Sequence, residues 1–401
     1  MEKNPPKKIL MIGWEYPPFN SGGLGTACKG ISQGLAQKGL VINFTLPQIV
    51  DLFSSSINFI FPKISKTKKD EVPLYLYSYM TVSGQPSLRK QHLGLVQETE
   101  RYAKLIVGMI KDLKFDLIHA HDWLSVPAAM AVHEISKKPL LLHIHALEFD
   151  RSGGSVFGNS KISEIEKKGI MEADSVIAVS AYTKNKIVEC YNINPDKISV
   201  VYNGINSQGL ENSIGRKLSF FKDKKIVLFV GRLTIQKGVE GFIRSAQIVL
   251  AKEPEALFVL AGDGELKKEA IELVNKLGIS KNVIFTGFLK EEELVEVYKI
   301  AQVYVLPSLS EPFGIAPLEA IKCNTPVILS RNSGVSEIIK GSLKVDFWDI
   351  DKMAEKILAV LNYSTLQKQL IDDGKRDIEK LSWRVAADKI DKIYEGMINN
   401  I

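Results

Sequence analysis

Two glutamates eight positions apart, Glu311 and Glu319, enclose a segment with one glycine and two prolines. The segment follows the apolar, β-branched run Val303–Leu306, so it lies past the carboxyl end of a predicted strand, where open α/β sheets bind ligands. Gly314 lacks a Cβ and lets backbone approach an anion. From Ile315 the chain can enter a helix with free N–H groups at its start. This layout suits a nucleotide sugar. One carboxylate would bind the sugar hydroxyls, the backbone amides would bind the diphosphate, and the other carboxylate would bind the ribose.

Two cations follow the first strand of the second half of the chain. Arg232 and Lys237 lie five residues apart at a predicted strand–loop–helix junction. A planar guanidinium and a lysine point charge in this place can converge on a diphosphate. Two such residues without further context are more often solvated surface charges. Gly231 and Gly262, which each end a predicted strand, would let backbone approach the same ligand.

A second glycine-rich segment follows the first predicted strand. Gly22, Gly23 and Gly25 precede a helix predicted at Cys28–Gln37. Backbone amides in such a loop can reach a ligand, although a tight strand-to-helix turn would need the same glycines.

Four of the six histidines form two alternating pairs, His119 with His121 and His143 with His145. In a strand both members of each pair face one way. Four imidazoles are compatible with zinc, but no cysteine accompanies them and we predict no metal. The other interpretations are core histidines with satisfied nitrogens, and a substrate contact at His145, which ends its predicted strand.

Length and composition restrict the classes of protein to which this chain can belong. The chain has 401 residues, 45% hydrophobic and 24% charged, with a net charge of +6. Its length corresponds to about two or three domains. The mild positive charge fits a small anionic ligand and does not call for nucleic acid. Three widely spaced cysteines favour a reducing compartment. No apolar run reaches the length of a membrane span or of a signal sequence, so we expect a soluble, cytoplasmic protein.

Short apolar strands alternate with amphipathic helices in both halves, which predicts two doubly wound parallel sheets, an α/β architecture with a ligand cleft between domains. We predict an amino-terminal domain at 1–205, a second domain at 206–383 and a final helix at about 384–401. Residues Ser54–Val72 are interpreted as a long loop or hairpin insertion. The predicted strands are Lys8–Ile12, Val41–Leu46, Leu117–His119, Leu140–His143, Ser175–Ala178, Val200–Val201, Ile226–Val230, Ala256–Leu260, Asn282–Phe285, Val303–Leu306 and Pro326–Leu329.

Three segments carry a resemblance to a known family. The run Glu311–Glu319 resembles the E-x7-E motif of retaining GT-B glycosyltransferases, and Val230–Gly238 resembles their G-R-x4-K-G motif. Gly13–Gly25 is similar to the amino-terminal loop of glycogen-synthase-like members. Bacterial glycogen synthases carry a lysine two residues before the glycine pair, whereas this chain has Asn20. The resemblance implies a GT-B fold of two Rossmann-like domains, packing of the final helix on the first domain, and metal-independent transfer without a cofactor.

The resemblance also implies roles for individual residues. The catalytic set is His145, Arg232, Lys237 and Glu311. The donor-binding set is Gly22, Gly23, Gly25, Gly231, Gly262, Phe288, Phe313, Gly314, Ile315 and Glu319. The acceptor-side set is Asp122, Trp123, Asp150 and Arg151.

The implied reaction moves a hexosyl unit from a nucleotide sugar to a carbohydrate acceptor. The preferred donor is UDP- or ADP-glucose, which supplies a glucosyl unit, and the preferred acceptor is an α-1,4-glucan. Alternatives on the same fold are α-mannosyl transfer and transfer to a lipid or small molecule. The basic run Lys63–Lys69 could contact an anionic membrane, although such runs are usually solvated. A nucleotide-sugar 2-epimerase and a silent nucleotide-sugar sensor are the non-transferase alternatives. Oligomeric state is left open.

Overall fold

The computed structural model describes residues 5–19, 22–62, 88–154, 160–205 and 224–399. The chain forms two compact units. The first comprises Met1–Glu148, Phe157–Gly204 and Trp383–Ile401, and the second comprises Phe149–Val156 and Ile205–Ser382. Asn20, the basic run Lys63–Lys69 and residues 206–223 at the start of the predicted second domain lie outside the described residues.

The first unit contains a parallel sheet of seven strands in the order β3-β2-β1-β4-β5-β6-β7. Its strand order reverses between β1 and β4, which is the topological switch point of a doubly wound sheet. The central strands read as apolar runs because both faces of the sheet are covered. The strands are β1 Lys8–Ile12, β2 Val41–Thr45, β3 Ile57–Ile60, β4 Leu117–His121, β5 Leu140–Ile144, β6 Ser175–Ala178 and β7 Ile198–Val200.

Among the described residues, six helices accompany these strands, of which the fourth lies mostly in the segment Phe149–Val156 of the second unit, and the last described helix also belongs to the first unit. They are α1 Gly23–Gln37, α2 Leu88–Met109, α3 Asp122–Ser136, α4 Glu148–Arg151, α5 Ser160–Glu172, α6 Ala181–Tyr191 and, after the second unit, α14 Trp383–Asn399. Helix α6 begins at a serine cap, because the Ser180 hydroxyl accepts a hydrogen bond from the backbone N–H of Thr183.

Helix α14 packs on a glycine groove of α1. A Cβ at Gly30 would lie 2.1 Å from the indole ring of Trp383, and one at Gly34 would lie 2.8 Å from the Trp383 carbonyl oxygen. Only glycines leave room for this close approach of two helices. The Lys7 ammonium lies 2.6 Å from the Asp391 carboxylate, so strand β1 and α14 are also joined at the surface.

The second unit contains a parallel sheet of six strands in the order β10-β9-β8-β11-β12-β13. Its order also reverses once, between β8 and β11, so both units share the doubly wound pattern. The strands are β8 Ile226–Val230, β9 Leu257–Ala261, β10 Val283–Gly287, β11 Val303–Leu306, β12 Val327–Ser330 and β13 Leu343–Val345.

Seven helices of the described part of this unit accompany the sheet, and the two longest of them are amphipathic. In α12 the buried side chains recur at positions 353, 354, 357, 360 and 361, the spacing of one helix face. This face packs on α7 in the core of the unit. The helices are α7 Val239–Leu250, α8 Lys267–Lys276, α9 Glu291–Ile300, α10 Ala316–Lys322, α11 Val335–Ile338, α12 Ile350–Asn362 and α13 Ser364–Ile378. In the part of the chain described, no helix is both long and apolar enough to cross a bilayer.

The structure confirms both predicted parallel sheets and corrects two local predictions. Residues Ser54–Val72 were predicted as a loop or hairpin insertion, but Ile57–Ile60 forms edge strand β3, parallel to β2. Its alternating, partly exposed sequence gives a weak strand signal. The helix predicted at Cys28–Gln37 instead begins at Gly23, so Gly23 and Gly25 form its first turn.

Candidate functional site

Two of the three predicted catalytic groups of the second unit, Lys237 and Glu311, meet at its topological switch point. Lys237 follows β8 and Glu311 follows β11, and these strands are neighbours at the reversal of strand order. The Lys237 ammonium lies 2.5 Å from the Glu311 carboxylate. Their side chains are 18% and 9% exposed, so the pair is largely shielded from water while still reachable from one side. Residues 74 positions apart thus form one charged pair at the sheet edge that binds ligands in this class of fold.

Hydrogen bonds hold Glu311 and the loop that carries it. The Ser308 hydroxyl donates to the Glu311 carboxylate at 3.2 Å. The Glu311 backbone N–H donates to the Asn332 carbonyl, and the Gly334 N–H donates to the Glu311 carbonyl. Buried Gln236 donates to the Ser310 carbonyl at 3.0 Å. The loops after β8, β11 and β12 are therefore bound to one another, which positions the ion pair.

Gly314 lies at the sharpest point of the loop after β11. Its φ of 101° belongs to the left-handed half of backbone space, where glycine is favoured. A Cβ there would lie 3.3 Å from Glu311 Cγ. The next residue, Ile315, precedes α10 and is half-buried. Phe313 is buried, and its carbonyl accepts from the Val335 N–H, so its predicted contact with a donor would be made through backbone.

Glu319 lies in the first turn of α10 and bonds to a buried tyrosine. The Tyr298 hydroxyl donates to the Glu319 carboxylate at 3.0 Å. Burial raises the pKa of Glu319 to about 7, against the lowering effect of that hydrogen bond. The carboxyl is therefore close to half protonated near neutral pH. A ligand that donates hydroxyl hydrogens to it would favour the ionised form.

Glycines bring the loops after β8 and β9 into contact. A Cβ at Gly262, whose φ is 144°, would lie 2.0 Å from the Gly231 carbonyl oxygen, so only glycine fits. Arg232 is half-buried in the same loop system, and its charge acts on Glu265, whose pKa is nevertheless raised by burial. Phe288, just after β10, is 78% exposed. An exposed aromatic ring beside a charged loop suits stacking with a flat ring of a ligand.

Asp150 and Arg151, predicted on the acceptor side, belong to the short segment Phe149–Val156 that is part of the second unit. The Ser310 hydroxyl donates to the Asp150 carboxylate at 2.5 Å. Asp150 is buried, whereas Arg151 is half-buried. Asp150 thus contacts the loop that carries Glu311.

The predicted glycine-rich loop of the first unit follows β1, at the topological switch point of its sheet. Gly22 and Gly23 follow β1, and a Cβ at either would meet no described atom within 4 Å. Gly25 is buried inside the first turn of α1. The free N–H groups at the start of this 15-residue helix suit an anion.

The four histidines lie together, His119 and His121 on β4, His143 on β5 and His145 just past its end, and the rings within each pair lie on one side, as the alternation predicted. His121 Nδ1 lies 3.1 Å from His145 Nε2, and His119 Nε2 lies 3.3 Å from His143 Nδ1. The Tyr394 hydroxyl of α14 lies 2.6 Å from His119 Nδ1. Burial lowers the pKa of all four, and those of His119 and His145 fall to about 3. The rings are therefore neutral at pH 7.

Three of these histidines, His119, His121 and His143, are close enough to suggest a metal site. However, both nitrogens of His119 already face a hydrogen-bonding partner. The rings of His119 and His143 lie within 6° of parallel, and those of His143 and His145 within 18°. The geometry is that of a hydrogen-bonded ladder.

Asp122 and Trp123, also predicted on the acceptor side, are held inside the first unit by backbone contacts and by burial. The Asp122 carboxylate accepts from the backbone N–H groups of His145 at 2.6 Å and Ala146 at 3.2 Å. Trp123 is fully buried. In this structure the Trp123 side chain reaches no solvent, so any contact with an acceptor would need a rearrangement.

A cavity of about 630 Å³ lies elsewhere in the second unit, near Ile205 and Ser382. It is lined by Lys299, Lys322 and Lys375, which occupy the last turns of α9, α10 and α13. Cations in these positions offset the negative ends of helix dipoles, and the cavity is separate from the ion pair.

Sequence reasoning missed the residues that hold the predicted groups in place. Tyr298, Ser308 and Gln236 contact Glu319, Glu311 and the loop after β11. Ser308 lies three residues before Glu311, a spacing that was visible in the sequence. The contacts of Tyr298 and Gln236 arise only from the fold.

Comparisons with known proteins identify the family to which this chain belongs. Residues 8–197 match the family model described as starch synthase catalytic domain, and residues 211–377 match the model of glycosyl transferases group 1. An uncharacterized glycosyltransferase of Methanocaldococcus jannaschii is 31% identical over 97% of this chain and 98% of its own length. The chain therefore belongs to the glycosyltransferase family with the GT-B fold.

Particular relatives differ in the reactions that their names describe. Glycogen synthase of Mycobacterium tuberculosis is 28% identical over 96% of this chain and 94% of its own. D-inositol 3-phosphate glycosyltransferase of Corynebacterium diphtheriae is 26% identical, with the same shares covered. The solved catalytic domain of starch synthase IV from Arabidopsis thaliana, bound to ADP and acarbose, superposes with a TM-score of 0.75. It is 15% identical and covers 98% of this chain and 100% of that one, so it supports the fold.

Proposed function

We propose that this protein is a retaining glycosyltransferase that moves a glucosyl unit from UDP- or ADP-glucose to an α-1,4-glucan, without a metal or cofactor. The observation that carries the proposal is the Lys237–Glu311 ion pair at the switch point of the second unit. It places a cation and a carboxylate beside Gly314, where backbone can approach a diphosphate.

Donor binding follows from the charges around this pair. Arg232 and Lys237 attract the diphosphate, together with the amides near Gly314 and Ile315. Glu319 accepts hydrogen bonds from the ribose hydroxyls, and Phe288 stacks on the base. The raised pKa of Glu319 supports this role, because a carboxyl that is close to half protonated near pH 7 is shifted to its ionised form by hydroxyl donors.

Bond cleavage moves negative charge onto the leaving phosphate. Lys237, which forms an ion pair with Glu311, turns toward that phosphate, and Arg232 adds a second positive charge. Such fixed cations stabilise charge that develops in a shielded site, the task that a divalent metal performs in other enzymes. Glu311 is then released to contact the sugar hydroxyls and to steady the cationic ring.

The acceptor attacks from the face that the nucleotide leaves, which retains the anomeric configuration. The resemblance assigns two further roles to residues of the first unit, contact with the transferred sugar to His145 and binding of the donor phosphates to the start of α1 at Gly22–Gly25. The similarity to a glycogen synthase supports a glucan acceptor. The similarity to an inositol-phosphate glycosyltransferase supports a second candidate, transfer to a small hydroxylated phosphate ester.

The test is a donor and acceptor panel read by nucleotide release and product structure. UDP-glucose, ADP-glucose and GDP-mannose are each combined with glycogen, with inositol phosphate or with no acceptor, in the presence and absence of EDTA. We expect glycogen-dependent release of UDP or ADP, an α-linked product by proton NMR, and no effect of EDTA. Release of free sugar without acceptor indicates an epimerase-type reaction, and binding without turnover indicates a sensor.

Glu311→Ala tests the ion pair directly. We expect transfer to fall below detection while the circular dichroism spectrum stays unchanged. Glu355→Ala is the matched control, since Glu355 forms a lysine ion pair on the exposed surface of α12. Near-normal transfer by Glu311→Ala refutes the assigned role.

A further inference from the structure

The histidine ladder on β4 and β5 contains one rung that ends at His145. We propose that His121 is a positioning residue, whose Nδ1 holds Nε2 of His145 and so fixes the orientation and tautomer of that ring. The proposal rests on the proposed function, in which His145 contacts the transferred sugar. It assigns a task to a buried histidine that touches no substrate itself.

The contacts of His145 single out this rung. Its Nδ1 is buried with no hydrogen-bond partner among the described residues, so Nε2 makes the hydrogen bond of the ring. Its backbone N–H donates to Asp122, which leaves the ring angle to be set by His121. His145 is nevertheless half-buried as a whole, because it lies just past the end of β5.

His121 is itself held rigidly. It is completely buried as the last residue of β4, and its carbonyl accepts from the Ser125 hydroxyl at 2.8 Å. The following residue, Asp122, adopts a φ of 58°, an uncommon backbone conformation outside glycine. Strained backbone persists where surrounding contacts determine it. This turn therefore supports both the His121 ring and the carboxylate that binds the His145 backbone.

When two neutral imidazoles share one hydrogen bond, one ring must be the donor and the other the acceptor. Burial lowers the pKa of both rings, so each carries one proton at pH 7. One nitrogen donates and the other accepts, which couples the tautomer of His145 to that of His121. Without a partner at this position, both the tautomer and the ring angle of His145 are released.

The other rung supplies an internal control. His119 is equally buried on the same strand, and it bonds to His143 and Tyr394 rather than to His145. Replacement of His119 by Phe removes a rung of the same kind without touching the His145 bond. The two variants therefore separate loss of core packing from loss of positioning.

The experiment compares His121→Phe, His121→Asn and His119→Phe in the full-length protein. Thermal stability is measured for each variant, together with kcat and KM for the preferred donor. We expect His121→Phe to lower kcat by about tenfold to a hundredfold, because small misplacements of reacting groups have effects of that size. KM for the donor changes little. His121→Asn, whose amide can stand in for Nδ1, restores most of kcat. His119→Phe loses stability but keeps kcat.

Equal loss of kcat in His121→Phe and His119→Phe overturns the proposal, as does unchanged kcat in a folded His121→Phe. A readout that needs no activity is the long-range ¹H–¹⁵N spectrum of the six imidazoles, with His145 assigned by its loss in His145→Gln. We expect one fixed tautomer for His145 in the unsubstituted protein, and tautomer averaging in it overturns the proposal even where His121→Phe does not fold. If no donor is turned over at all, the proposed function fails while this spectrum still decides the positioning role.

Discussion

The protonation of Glu319 makes stability and donor binding depend on pH in a predictable direction. Its pKa is raised from 4.5 to about 7 by burial beside Tyr298. Because the folded protein holds a proton that the unfolded chain releases, this carboxyl contributes stability that is fully present below pH 4.5 and is lost as pH rises through 7. Glu319→Gln cannot ionise, so its stability lacks this component of pH dependence.

The size of the effect follows from the shift in pKa. At about 1.4 kcal/mol for each pKa unit, the full difference is about 3 kcal/mol, of which about 2.5 kcal/mol develops between pH 5 and 8. We expect the unfolding free energy of Glu319→Gln, relative to the unsubstituted protein, to rise by about that amount over this range. Urea unfolding at four pH values measures the difference, in which the other titrating groups cancel. A difference that stays flat from pH 5 to 8 refutes the assigned protonation.

The affinity for the nucleotide sugar should rise with pH because of Glu319, whereas the stability contributed by Glu319 falls with pH. Ribose hydroxyls donate to the ionised carboxylate, whose population rises about tenfold between pH 6 and 8 for a pKa near 7. We therefore expect the affinity for UDP- or ADP-glucose, measured calorimetrically without acceptor, to rise by up to about tenfold over that interval. Glu319→Gln should bind more weakly at pH 8 and show no such rise. A rise of equal size in the variant would assign it to another group.

Three further substitutions test other parts of the structure. Lys237→Met leaves Glu311 without its cation and should cost about 2 kcal/mol of stability and nearly all transfer, whereas the added Glu311→Gln recovers stability in urea unfolding but not activity. Gly262→Ala forces a Cβ against a facing carbonyl and should lower unfolding free energy by about 3 kcal/mol, with loss of donor binding in calorimetry. Gly30→Ala meets an indole ring and should cost about 1–3 kcal/mol by the same unfolding assay. Gly396→Ala, where a Cβ meets open space in α14, is the matched control and should stabilise by up to about 1 kcal/mol.

The sequence was sufficient to predict the sheets and the residues at their carboxyl ends. Apolar β-branched runs mark buried parallel strands, and parallel strands bring all their carboxyl ends to one edge. Arg232, Lys237 and Glu311 therefore had to lie on the same side of the second sheet. That the last two form a direct ion pair follows from the adjacency of β8 and β11, which depends on strand order rather than on composition.

The remaining features depend on tertiary packing. Strand β3 carries polar Asn58 between apolar residues and lies at a sheet edge, so its pattern is short and weak. Strand β13 has only three residues. The rung between His121 and His145 requires the register of β4 on β5, in which His121 pairs with His143. The burial that raises the pKa of Glu319 comes from helices that no local pattern places together.

The groove of α1 that receives Trp383 sets a constraint on how this chain is synthesised. The first unit contains residues from both extremes of the sequence, with the whole second unit encoded between them. On the ribosome its β-sheet can form early, but α1 stays uncovered until translation has passed residue 383. Because Lys7 and Asp391 are in contact, a circular permutant in which a short linker leads from α14 to β1, with new ends elsewhere, would supply α14 ahead of β1 and remove that delay.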